Sequence, residues 1–155
     1  MMTYERSLWV KALTAHSLET ISNLAEEINK NWQIKYRILP QNGLSLVTLQ
    51  DGVFHEPYYL GEIPISHAYL SLINEQGESY DGAAQVMTDS EDLAVALAVC
   101  DAVMAHQLPG WKKVAHYIEL GMKKRAEENQ IRGAMLAKTK VNFSLLSQGE
   151  NDATD

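Results

Sequence analysis

Apolar residues recur at three- and four-residue steps toward both ends of the chain, and at every second residue in its middle. The first pattern predicts a helix from Thr3 to about Ala15, with Leu8, Trp9, Ala12 and Leu13 on one face. Ser17 is placed to cap a second helix carrying Leu18, Ile21, Leu24, Ala25 and Ile28, so the two make a helical hairpin. The period then changes. Ile34, Tyr36 and Ile38 alternate with polar or charged residues, and Pro40-Gln41-Asn42-Gly43 supplies turn chemistry. A second strand is expected from Leu44 to Gln50, ending at the turn signal Asp51-Gly52. Gly61 and Pro64 lie inside the long stretch from Tyr58 to Ile73, which reads as two strand segments bent at a bulge or edge. Ala68, Leu70 and Leu72 share one face of its latter half, and Gln76-Gly77 leads into a last strand, Ser79 to Met87. Short connections favour an antiparallel meander of about four strands.

Helical spacing returns after Thr88 and Glu91, which have the separation of a capping box. From Leu93 to about His106 the helix is apolar nearly all round, the mark of a helix covered on both sides. Leu108-Pro109-Gly110 ends it, and a final helical region runs from Trp111 to the middle 140s through the charged stretch Lys123 to Glu128. Strands flanked by separate runs of helices indicate an α+β fold. A single domain over 1–147 followed by a polar, disordered tail over 148–155 is the expected organisation.

Composition narrows the partners. The 155 residues carry 20 acidic and 13 basic side chains, a net charge of −7 that argues against nucleic acid and against an anionic membrane surface. No apolar run reaches the ~20 residues of a spanning helix. The opening MMTYERSLW lacks the pattern of a signal peptide, and a single cysteine suits a reducing compartment. A cytoplasmic location follows as the expectation.

Candidate chemistry is sparse. His16, His55, His67, His106 and His116 are scattered over different elements, without the spacing that puts two metal ligands on one helix face. Cys100, in the most apolar helix, reads as an inert core thiol. Glu56 and Glu62 could form an acid/base pair, with His67 nearby in sequence, but their spacing fixes no distance across a sheet. A stand-alone small α+β enzyme using these three residues is one alternative, and an unrelated homo-oligomeric adaptor is another. No catalytic, cofactor-binding or metal-ligating residue is assigned. Late apolar residues Val141, Phe143, Leu145 and Leu146, with Lys140 at their rim, are candidates for a partner interface.

Several ordered segments together resemble one family, the G subunit of the carbon–phosphorus lyase system (PhnG). Arg6-Ser7-Leu8-Trp9-Val10-Lys11-Ala12-Leu13 is similar to its R-x-x-W-M-x-V-L start, and Gly43-Leu44 to its G-L-V. Pro57-Tyr58-Tyr59-Leu60-Gly61-Glu62 resembles P-F-N-L-G-E, and Asp101-Ala102-Val103 resembles the D-A-L of an apolar helix. Thr139-Lys140-Val141-Asn142-Phe143, followed by Gly149, resembles T-R-V-D-F-F-T-M-V-R-G. Departures are visible too. Ser66-His67 stands where the family has T-R, and Met87-Thr88-Asp89 stands for G-R-D, so the roles of those arginines are not carried over. Gly61, Glu62 and His67 occupy motif positions without an assigned role.

The resemblance implies an accessory, non-catalytic subunit in phosphonate breakdown. It implies partners among the H, I, J and L proteins, and a part in the step in which alkylphosphonate displaces adenine from ATP. That step yields α-D-ribose 1-methylphosphonate 5-triphosphate when the substrate is methylphosphonate. MgATP and alkylphosphonate belong to the complex, and no cofactor is expected on this chain. Whether the isolated chain forms a homodimer is left open.

Overall fold

An apolar helix with no polar face can only be stable between two other layers, and α3 (Glu91–Ala105) is so placed. The computed structural model describes residues 4–139. In it, α3 lies between a three-stranded antiparallel sheet and α2 (Leu18–Asn29), with Leu97, Val99, Cys100 and Val103 almost entirely hidden. α2 faces it with Ile21, Leu24, Ala25 and Ile28, the stripe expected from the sequence, and Ser17 caps it by accepting from Thr20 N–H. The first predicted helix is shorter than its apolar pattern: a 3-10 turn, Arg6–Leu8, runs into one turn or so of α1, Trp9–Leu13. The last helix, α4, spans Trp111–Lys138. The class is α+β, as the pattern indicated.

The sheet has three strands rather than about four. β1 (Gln33–Gln50) and β2 (Pro57–Ile73) are each continuous, and β3 (Ser79–Val86) completes the order β1-β2-β3. The expected turn at Pro40-Gln41-Asn42-Gly43 is instead an irregular stretch within β1. Its register against β2 shifts between Tyr36 and Ile38 and again between Ile38 and Gln41, leaving Pro40 without a paired residue. Asn42 is drawn into a tertiary hydrogen bond, and Gly43 already pairs with Ile65. Pro64 does not break β2 for a related reason. Ala83 N–H of β3 points away from β2, because it donates to Asp101. Alternation then turns the amides of Ser66, Ala68, Leu70 and Leu72 toward β3, and the next in that series is Pro64, beyond the end of β3. Its missing N–H falls on an open edge, where none is needed.

The start of α3 also differs from the expected capping box. Ser90, not Thr88, is the cap and accepts from Leu93 N–H, while Thr88 accepts from Ser90 N–H one step earlier.

The chain divides into two compact units, 1–122 and 123–155, the boundary falling within α4. Unit one holds the core, which α4 joins through Val114 and Ile118. Two glycines allow its closest approaches. A Cβ on Gly82 would overlap the Ala98 carbonyl of α3, and one on Gly121 would overlap the Ala12 carbonyl. In the second unit, the described part of α4 carries an Arg125–Glu128 ion pair and the exposed apolar residues Ile131, Met135 and Leu136. Among the described residues, no helix is long and apolar enough to cross a membrane.

Gly82→Ala should therefore destabilise the protein by about 1–3 kcal/mol through overpacking of β3 on α3. Gly52→Ala, at a position with open space around it, should change stability by less than ~0.5 kcal/mol. Denaturant midpoints of the two variants against wild type check the packing of the sheet on α3.

Candidate functional site

Beyond the end of β3, β1 and β2 continue as a two-stranded arm. A clamp at its base holds it. Ser66 is fully buried, and its hydroxyl proton is shared between Asn42 Oδ1 at 2.5 Å and the Thr88 carbonyl at 2.8 Å. Asn42 Nδ2 in turn donates to the Asp89 carbonyl at 3.1 Å. Past this clamp, Gly43–Gln50 pair with Pro57–Ile65. Eight residues of strand extend for about 26 Å.

The arm is apolar on both faces. Leu44, Leu46, Tyr59 and Pro64 follow the parity of the helix-covered face, and all four are exposed. Val47, Leu49, Tyr58, Ile63 and Ile65 lie on the other side. At the tip the backbone is tied down by Asp51, whose carboxylate accepts from Val53 N–H at 3.0 Å and Phe54 N–H at 2.6 Å. Asp51 N–H donates to the Glu56 carbonyl, Gln50 Nε2 donates to the His55 carbonyl, and His55 takes a left-handed φ of 57°. This cage presents Val53 and Phe54 outward, 76% and 79% exposed.

The sequence singled out Gly61, Glu62 and His67, and the structure separates them. Gly61 sits at a register shift opposite Val47 with φ 157°, a backbone shape that other residues rarely adopt. Glu62 is exposed on the arm opposite Leu46. His67 is half-buried above the clamp, pairs with Gln41, and by strand parity lies on the opposite face from Glu62. Glu56 is in the tip loop. These residues therefore do not converge into an acid/base set. Among the described residues, no group of three or more His, Cys, Asp or Glu side chains could hold a metal ion. Lys140, Val141, Phe143, Leu145 and Leu146 lie outside the described residues.

A second cluster was not anticipated from the sequence. Asp101, only 7% exposed within the apolar face of α3, receives Arg6 through two hydrogen bonds, Nε to Oδ1 at 2.8 Å and Nη2 to Oδ2 at 2.5 Å. The same Oδ2 accepts Ala83 N–H at 3.0 Å, and His106 Nε2 lies 3.2 Å from the Asp81 carbonyl on the same edge. Together they cover the outer edge of β3. The signal was available: a carboxylate in the most apolar helix demands a cationic partner. Arg6 and Asp101 stand in two of the segments on which the family resemblance rests, 95 positions apart. The other two described segments, Gly43-Leu44 and Pro57–Glu62, lie on opposite strands of the arm.

Residues 4–149 match the family model of the phosphonate metabolism protein PhnG. The chain belongs to the PhnG family. A search of curated proteins finds no match. Membership places the chain in phosphonate metabolism and ties it to the C–P lyase complex.

In this PhnG member two further ionisable groups, Cys100 and Asp81, are engaged in structure. Burial pushes the Cys100 thiol up to about 12, with the neighbouring Asp101 charge adding to the effect, so a nucleophilic thiolate is not available at neutral pH. Asp81, on the solvent face of the sheet, accepts Ser71 Oγ at 2.5 Å, Tyr69 Oη at 3.2 Å and Arg37 Nη2 at 3.4 Å. The Ser71 hydrogen bond, then those of Tyr69 and Arg37 and the Arg37 charge, outweigh partial desolvation and hold its carboxyl below the usual range.

Arg6→Ala leaves a buried carboxylate with one backbone donor. A loss of about 1–3 kcal/mol is expected, short of a fully buried pair because water can reach the Arg6 side. A double-mutant cycle with Asp101→Asn, read by denaturant unfolding, should return a favourable coupling. Acid titration tests the solvent face. Because Asp81 ionises more readily folded than unfolded, its contribution is complete above the ordinary carboxylate range, about pH 4. It is lost as pH falls through the lower folded value. The stability gap between wild type and Asp81→Asn should thus be constant above about pH 5 and narrow below pH 4.

Proposed function

We propose that this chain is an accessory, non-catalytic subunit of the phosphonate C–P lyase complex. It is needed for the transfer of an alkylphosphonate to the ribose of ATP with release of adenine. The I subunit carries the nucleosidase-like chemistry, J the later carbon–phosphorus cleavage, and H and L complete the set of partners. The observation that carries this reading is how the residues of the family segments are used. Arg6 and Asp101 close a sheet edge, Gly61 accommodates a bulge, and Glu62 and His67 stand on opposite faces. Such residues shape a subunit; they do not assemble a nucleophile, base and orienting group. The acidic balance of the chain, −7 overall, also disfavours independent binding of a triphosphate. MgATP and alkylphosphonate are accordingly substrates of the complex, which works in the cytoplasm. Lys140, Val141, Phe143, Leu145 and Leu146 supply a C-terminal contact to a partner subunit, with Phe143 as its aromatic anchor.

Reconstitution tests the proposal. The isolated chain should release no adenine from ATP, with or without methylphosphonate. The purified partner subunits should release it in a phosphonate-dependent way only when this chain is added, as followed by chromatography of adenine. Turnover by the isolated chain, or full turnover by the partners without it, would overturn the reading.

A further inference from the structure

Among the described residues, the arm exposes Leu44, Leu46 and Tyr59 on one face, Leu49 and Tyr58 on the other and Phe54 at its tip, while Val47, Ile63 and Ile65 are half-buried. The β2 edge of the arm is a poor template for strand addition. Pro64 removes one donor from the open side of β2, and Gly61 marks an irregularity a few residues on. The exposed apolar area of the arm is carried by its side-chain faces, and recognition is assigned to them. A flat surface would cover one of these; a cleft covers both.

Charge decides between occupants. Residues 43–65 include Asp51, Glu56 and Glu62 and contain no lysine or arginine. Face-to-face packing of two copies would bring together two arms of like charge, on chains already at −7. An apolar cleft rimmed by lysine and arginine satisfies both the faces and the carboxylates. The tip is ready for such a cleft. Asp51 holds the loop backbone from within, so Phe54 is displayed without ordering on contact, and a rigid aromatic loses little entropy on burial.

We propose that the β1–β2 arm inserts into a basic-rimmed apolar cleft of another subunit of the complex, with Phe54 as its terminal anchor. This rests on the reading of the chain as a complex subunit and names the surface it uses. The full-length chain and its Phe54→Ala variant are titrated against the purified H, I and J subunits, singly and together, with melting temperatures measured in parallel. Phe54→Ala should weaken assembly at least tenfold while leaving the melting temperature within about 2 °C, since a side chain so exposed contributes little to the fold. The double variant Glu56→Lys/Glu62→Lys should slow association and remove much of its salt dependence. Three results overturn the arm alone: unchanged assembly by Phe54→Ala, a loss of affinity matched by a large loss of melting temperature, or a concentration-dependent homodimer that Phe54→Ala disrupts while assembly with the other subunits is untouched. Failure of the wild-type chain to bind any of these subunits overturns the subunit reading and the arm's occupant with it.

Discussion

A carboxylate in the middle of the most apolar helix is the constraint around which the domain is arranged. Asp101 could not be hidden beside Cys100 and Ala102 unless a cation and a further donor met it there. Arg6 arrives from the chain start and the Ala83 amide from the sheet edge, so one ion ties the first turn, the last strand and the central helix together. The Gly82 backbone, pressed against the Ala98 carbonyl, follows from the same proximity. Were α3 further from β3, the carboxylate would lose the amide and the strand edge would be open to other chains.

The same sheet then changes character along its length. Where β3 and α3 cover it, β2 shows the alternation of a core strand through Ala68, Leu70 and Leu72. Below the Asn42–Ser66–Thr88 clamp the cover stops, yet the apolar residues continue on both parities. A soluble monomer gains nothing from two apolar faces on a projecting ribbon, and exposed patches of this kind mark surfaces that meet other macromolecules. The fold thus divides its work: one half of the sheet builds a core, and the other half extends a surface from it. Membership of the PhnG family gives that surface a setting in a multi-subunit complex.

Much of the core was legible from the residues alone. The α2 stripe, the all-round apolarity of α3 and the Ala68–Leu72 alternation each report a local period, and local periods survive into the folded state because they decide which face is dry. Turn chemistry was less dependable. Pro40-Gln41-Asn42-Gly43 has the composition of a turn, but Asn42 gains a partner in Ser66 only when the strands are side by side. Pro64 reads as a strand break until the end of β3 is known, since only an open edge makes its missing N–H harmless.

The sequence by itself determined the α+β class, the helices at either end, the buried faces and the family, because these depend on residue order over short spans or on several short segments together. Only the tertiary structure decided what was close in space. It joined Arg6 to Asp101 across 95 positions, set Glu62 and His67 on opposite faces, and left Leu44, Leu46 and Phe54 exposed. The reason is physical. Periodicity tells which side of an element avoids water, but what lies against that side depends on strand register and on where neighbouring elements end.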